Sequence, residues 1–154
     1  MSKLFQKLDL KIIKTVRRIS LPLARLAIFV VFFWFGLLKV FDLSPANLLV
    51  EALLQKTLPF ISFEQFIIFL GFYEMFVGLI FLVPSLTRLA IALLIIHLIT
   101  ALLPLIFLPS VTWLGILTPT LEGQYIIKNL AITALAICLA AYVRPLQRRK
   151  DKGL

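Results

Sequence analysis

The sequence has one cysteine, one histidine and only seven acidic residues among its 154 positions. The lone Cys138 excludes an intramolecular disulfide and any redox centre that needs two thiols within this chain. One histidine without paired cysteines makes a poor metal site, so no metal is expected. The chain also has no glycine-rich phosphate loop, no Ser-His-Asp set and no paired zinc motif. Sequence motifs therefore identify no catalytic residue.

Charge is scarce as well, at 15% of residues, whereas hydrophobic residues make up 62%. A helix needs about 20 apolar residues to cross a hydrocarbon core of roughly 30 Å. Runs of that length occur at residues 21–41, 63–83, 86–108 and 125–143. We therefore predict an all-α fold, a four-transmembrane-helix bundle formed by residues 21–143.

Two shorter helices are expected beside the spans. Residues 1–20 carry apolar side chains at helical spacing with lysines on the other faces, which predicts an amphipathic helix on the cytoplasmic face. Its apolar continuation is too long for a signal peptide and lacks a cleavage site, so it should be retained. After the first span, Ser44 and Pro45 are typical of a helix start, which predicts a short interfacial helix. Thr118 and Pro119 predict the start of the fourth helix in the same way.

Basic residues are distributed unevenly. Of the 16 lysines and arginines, six lie in the first twenty residues, five lie in the tail at residues 144–154, and Arg88 follows the second span. By the positive-inside rule, this pattern predicts that both termini are cytoplasmic. Membrane topology thus accounts for the net charge of +9. Membrane lipid is the expected partner, and a nucleic acid is not.

Glu74 is the only charged residue between Glu64 and Arg88, and it falls near the middle of the second span. His97 should reach almost the same depth on the third span, which returns after a tight turn. A charge at that depth is costly, so both groups should face the bundle interior and bind partners there. We expect contact between Glu74 and His97, directly or through water.

Four further polar residues could complete a ligand-binding pocket with Glu74 and His97. In one interpretation, Lys39 and Lys128 extend separately into the headgroups. In the other, they turn inward with Asn129 and Glu122 above Glu74. Glu74 itself could equally be a structural anchor between helices. The candidate pocket residues are Lys39, Glu74, His97, Glu122, Lys128 and Asn129.

A family resemblance rests on several of these residues. The order of Arg25, "FFWFGLLKVF", "GFYEMFVGLIFLVPSLTRLA" and "PTLEGQYIIKNLAI" resembles the DoxX-like family of four-helix bacterial membrane proteins. It is most similar to the inner-membrane branch associated with tolerance of reactive chlorine species. His97 lies outside the matching positions, which are Arg25, Gly36, Lys39, Glu74, Gly78, Glu122, Lys128 and Asn129.

The resemblance implies a multi-pass protein of the bacterial inner membrane. Some members of the family resemble subunits of quinone-linked oxidoreductases, such as thiosulfate:quinone oxidoreductase, and others are associated with oxidative-stress defence. Our first hypothesis is therefore a component of a quinone-linked redox or oxidant-defence system that works with another membrane or redox protein, or as a homo-oligomer. The lysines would bind a quinone and Glu74 would relay protons. The alternatives are a non-catalytic accessory or scaffold subunit and a small proton-coupled transporter, so enzymatic activity is left open.

Overall fold

The computed structural model describes residues 3–143, so the predicted basic tail at residues 144–154 lies outside the described residues. Within this range, four helical segments are long and apolar enough to cross a membrane, as predicted. The first is α1, Lys3–Val40, and the second is α3, Phe63–Phe81. The third comprises a 3-10 turn, Pro84–Leu86, with α4, Thr87–Leu102, and α5, Pro104–Phe107. The fourth is α7, Leu121–Ala140. The remaining elements are α2, Asn47–Thr57; α6, Pro109–Thr112; β1, Trp113–Gly115; and β2, Thr118–Pro119.

The N-terminal segment is not a distinct element. Residues 3–20 are helical, but they continue into the first span as one helix, and Pro22 lies inside it rather than in its first turn. A proline removes one backbone hydrogen bond, and a membrane helix tolerates that loss. At 1.5 Å per residue, α1 is about 57 Å long, roughly twice the thickness of a hydrocarbon core.

The predicted interfacial helix exists but begins later than expected. After α1 ends, Asp42 adopts a left-handed backbone conformation with φ of 57°, and Asn47 Nδ2 donates to Asp42 Oδ1 at 2.6 Å. Ser44 does not cap α2. Its side-chain oxygen instead accepts from the Ala46 backbone N–H at 3.3 Å, which makes a turn before the helix.

The start of the fourth helix also differs from the prediction. Thr118 and Pro119 form the short strand β2, which pairs antiparallel with β1, and α7 begins only at Leu121. The helix cap is Thr120, whose Oγ1 accepts from the Gly123 backbone N–H at 3.1 Å. Thr120 also donates through Oγ1 to the Val111 carbonyl at 2.8 Å, so one side chain joins α6 to α7.

Two glycines let α1 and α3 pack with their backbones close together. A Cβ added to Gly36 would lie 2.5 Å from the Gly71 carbonyl oxygen, and one added to Gly71 would lie 2.7 Å from the Gly36 carbonyl oxygen. Small residues at membrane-helix crossings allow this approach. The crossing holds the C-terminal turn of α1, with Lys39, against the middle of α3. This pairing is the most extensive between elements of the described chain.

The bundle buries one apolar cluster and exposes apolar side chains around its outside. The buried cluster joins α1, α3, α4 and α7. Outside, Trp34, Phe69 and Ile96 are more than half exposed, as expected of surfaces that lipid covers. We call the end that holds Arg17 of α1, Arg88 and the C-terminus of α7 the basic end. The opposite end, which holds α2, α5, α6 and the two strands, is the loop end.

Candidate functional site

Glu74 is buried inside the bundle. It is the twelfth of the nineteen residues of α3, about 16 Å along a helix of about 28 Å. Its side chain is 7% exposed and lies on the same helical face as Gly71 and Gly78, which pack against α1. The close helix crossing therefore brings the carboxylate within reach of α1.

Lys39 is the first partner of Glu74. Its Nζ donates to Glu74 Oε2 at 2.7 Å, and the lysine side chain is only 8% exposed. Lys39 lies in the last turn of α1, where a positive charge also interacts favourably with the helix dipole. The Lys39 side chain thus turns inward to Glu74 and does not extend into the headgroups. A charge-assisted bond of this length is among the stronger hydrogen bonds in proteins.

His97 is the second partner of Glu74. Its Nε2 lies 3.5 Å from Glu74 Oε1, so each carboxylate oxygen faces a different basic group. The ring packs edge-on against Phe32, with centroids 5.2 Å apart, and stacks on Tyr73, with centroids 6.2 Å apart. We call Lys39, Glu74 and His97 the triad. The predicted proximity of Glu74 and His97 is therefore present.

The second imidazole nitrogen is unsatisfied. His97 Nδ1 is buried and has no hydrogen-bond partner among the residues described. The imidazole remains 13% exposed, the largest exposure in the triad. A ligand that reaches the triad would therefore meet His97 more readily than the carboxylate.

Tyr73 was missed by the sequence interpretation. Its hydroxyl donates to the Leu93 carbonyl of α4 at 2.8 Å while its ring stacks on His97. Tyr73 thus joins α3 to α4 beside the triad and fixes the face on which the imidazole lies. Its phenol group within an apolar span was the available signal, since a tyrosine hydroxyl away from water usually finds a hydrogen-bond partner. Phe32 of α1 shares a helical face with Gly36 and Lys39, and that spacing already placed it beside the pocket.

The chain matches no known protein-family model, no curated protein sequence and no solved structure. Its site is therefore interpreted from its own geometry. In the described part of the chain, no group of three or more His, Cys, Asp or Glu residues is arranged to hold a metal ion. What the triad does offer is a cation, a carboxylate and an imidazole within one apolar bundle.

The structure does not bring the remaining predicted pocket residues to the triad. Lys128 is on an exposed face of α7, with its Nζ 5.0 Å from the centre of the Tyr125 ring. Glu122 is exposed in the first turn of α7, and Asn129 is only partly buried. Gly123 and Ile126, on the buried side of α7, fix this rotation. Lys128 is two residues beyond Ile126, about 200° around the helix, and so points away from the core.

Arg25 of α1 binds the C-terminal end of α3. Its guanidinium Nη1 donates to the Phe81 carbonyl at 3.0 Å. That carbonyl belongs to the last residue of α3, where helix carbonyls lack intrahelical partners. Arg25 therefore satisfies the end of α3 from α1, near the basic end, while Lys39 binds the middle of α3. Polar contacts from α1 fix two levels of the same helix.

Proposed function

We propose that this chain is a DoxX-like inner-membrane component of a quinone-linked redox or oxidant-defence system, with the triad as its quinone-binding site. The observation that carries the proposal is the environment of His97. One ring nitrogen faces the Glu74 carboxylate, and the other is buried without a partner in the described chain. An unsatisfied buried polar group costs about 1–3 kcal/mol. A ligand oxygen that binds Nδ1 would recover part of that cost.

The triad has the groups that such a ligand needs. A quinone supplies paired electron and proton chemistry when it is bound. An imidazole exchanges a proton at one nitrogen while its other nitrogen is held by a carboxylate. Glu74 stabilises the imidazole when the imidazole carries the extra proton. Lys39 balances the charge of the carboxylate when the imidazole is neutral. Phe32 and Tyr73 provide apolar walls beside these polar groups, which is the usual composition of a small-molecule site.

The membrane orientation is part of the proposal. We place the basic end in the bacterial cytoplasm, because Arg88 and the basic residues of the N-terminal segment belong to that end. The segment at residues 3–20 then lies along the inner leaflet as an amphipathic helix, with its apolar face in the lipid.

A second candidate function is that of a non-catalytic accessory subunit. The observation in its favour is that the triad is nearly closed, with side-chain exposures of 8%, 7% and 13%. In that case the triad serves to join α1, α3 and α4. The protein would then act through a partner that binds its lipid-facing surface.

Quinone titration distinguishes the two functions. A short-tailed ubiquinone analogue is titrated into the full chain purified in detergent, and binding is followed by quenching of tryptophan fluorescence. The variant His97→Leu replaces the imidazole with an apolar side chain of similar bulk and so removes both nitrogens. Thr100→Val is the matched control, because the Thr100 hydroxyl donates to the His97 backbone carbonyl at 2.8 Å and to no triad side chain among the described residues.

We expect the wild type and Thr100→Val to bind the analogue with similar affinity. The affinity of His97→Leu for the analogue should be lower by a factor of about ten or more, since the loss of one hydrogen bond with charge character costs at least about 1.4 kcal/mol. Absence of binding to the wild type, or equal binding by His97→Leu, would overturn the quinone proposal and favour the accessory function.

A further inference from the structure

A groove at the basic end lies between the start of the first span and the C-terminal turn of α7. It is lined by Arg17, Ser20, Leu21 and Tyr142 and has a volume of about 400 Å³. Leu21 is eighteen residues before Lys39 on α1, about 27 Å along the axis. The groove is therefore well separated from the triad.

The groove carries hydrogen-bond donors and one unbalanced positive charge. The Arg17 guanidinium makes no hydrogen bond or ion pair with any residue from 5 to 143. A guanidinium presents five N–H donors in a planar fork that matches a phosphate group. Ser20 and Tyr142 add a hydroxyl and a phenol, and none of the four lining residues is acidic. This combination favours a ligand with a phosphate group over an apolar ligand.

The C-terminus of α7 does not need Arg17 as a cap. The Tyr142 N–H donates to the Leu139 carbonyl at 3.2 Å, and the Val143 N–H donates to the Ala140 carbonyl at 3.0 Å. These turns satisfy the Leu139 and Ala140 carbonyls from the backbone of the chain itself. Among the described residues the Arg17 guanidinium therefore has no hydrogen-bond or ion-pair partner, and it can bind a group from outside the protein.

The position of the groove indicates which phosphate it meets. It begins where the apolar run of the first span begins, at Leu21, which is the level of lipid headgroups beside a transmembrane helix. Beyond it, towards the bilayer centre, Leu23 and Ile137 are 58% and 65% exposed on the two flanking helices. A phosphate in the groove would therefore have exposed apolar side chains on both flanking helices, against which two acyl chains can pack.

From this arrangement we propose that the groove binds the phosphate of an anionic phospholipid of the surrounding leaflet. Arg17 binds the phosphate, Tyr142 donates to one of its oxygens, and the acyl chains follow α1 and α7. The Ser20 hydroxyl, which donates to the Arg17 carbonyl at 3.4 Å, turns to the phosphate when the ligand binds. Lys14, one helical turn before Arg17, adds to the positive potential that favours an anionic lipid over a zwitterionic one. This site is independent of the quinone proposal.

Lipid retention measured by native mass spectrometry tests the site. The full chain is purified in detergent and incubated separately with phosphatidylglycerol and phosphatidylcholine. The variants are Arg17→Gln and Tyr142→Phe, and the matched control is Arg18→Gln, which removes an adjacent arginine that does not line the groove. A further sample contains inorganic phosphate at the same phosphate concentration as a competitor.

We expect the wild type and Arg18→Gln to retain phosphatidylglycerol in preference to phosphatidylcholine. Arg17→Gln should lower the retained phosphatidylglycerol about tenfold, the effect of losing one charge-assisted contact, and Tyr142→Phe should lower it less. Equal loss in Arg17→Gln and Arg18→Gln would overturn the site, because it would indicate general basic attraction. Equal retention of the two lipids would overturn the anionic preference. Displacement by inorganic phosphate would overturn the assignment to a lipid.

Discussion

Lys39 Nζ and Glu74 Oε2 lie 2.7 Å apart in the interior of the bundle, although the two residues are 35 positions apart and belong to different spans. The contact depends on the close crossing of α1 and α3 at Gly36 and Gly71. Without that approach, a lysine in the last turn of α1 would extend to the membrane surface. The glycines and the ion pair therefore form one structural unit, and His97 adds the third helix to it.

Removing one partner of the Lys39–Glu74 ion pair should lower the stability of the protein more than removing both partners together. Glu74→Gln leaves the Lys39 ammonium buried without its counter-charge. Lys39→Met leaves the Glu74 carboxylate buried without a positive charge beside it. Each single change should lower the free energy of unfolding by about 3–5 kcal/mol, whereas the double variant that combines Glu74→Gln with Lys39→Met should cost much less than the sum. Unfolding of the four proteins in mixed detergent micelles measures this cycle. Additive costs would contradict a direct buried pair.

The glycine crossing should tolerate no added methyl group. In Gly36→Ala, the new Cβ would overlap the Gly71 carbonyl oxygen, so α1 and α3 must separate. We expect a loss of about 1–3 kcal/mol in unfolding free energy, the usual cost of overpacking. Gly115→Ala is the control, because a Cβ there meets nothing within 4 Å. Equal stability of the two variants would show that the helices do not cross this closely.

The sequence predicted the four spans because their length and apolar composition depend on the bilayer alone. It also predicted that Glu74 and His97 meet, since a tight turn forces α3 and α4 to lie antiparallel and places both residues at one depth. The rotation of α7 could not be predicted in this way. It depends on Gly123, which packs against the Thr112 backbone of α6. That contact involves the segment between α4 and α7, where no periodic pattern fixes the structure.

Helix starts were predicted less well for a related reason. Ser44 and Thr118 have the residue types of helix caps, but their side chains bind elsewhere. The Ser44 side-chain oxygen accepts from the Ala46 N–H, and the Thr118 hydroxyl donates to the Ile116 carbonyl at 3.3 Å. Cap propensity is a local preference that neighbouring turns can override. The continuity of α1 through Pro22 follows the same principle, since propensity alone favours a break there.

Lys128 should contribute nothing to ligand binding at the triad. Its ammonium lies over the Tyr125 ring on an exposed face of α7, so Lys128→Gln should leave the affinity for the quinone analogue unchanged. Lys39→Gln, which alters the triad itself, should weaken it. The same fluorescence titration compares the two lysine variants. A marked loss of affinity in Lys128→Gln would mean that α7 contributes to the site.

The proposed orientation predicts which loops a membrane-impermeant thiol reagent can reach. In a Cys138→Ala background, a cysteine at Lys56 in α2 should be labelled from outside intact cells. A cysteine at Ser85, in the turn that precedes Arg88, should be labelled only after the membrane is opened. Labelling of the Ser85 position alone in intact cells would invert the topology.

The most direct test of the central claim is photolabelling of the wild-type chain in membranes with an azido-ubiquinone, followed by mapping of the modified peptides. The account predicts modification at or beside Tyr73, Glu74 or His97, and its suppression by excess unlabelled quinone. Modification confined to lipid-facing residues such as Phe69 or Ile96, or labelling that unlabelled quinone does not reduce, would contradict it.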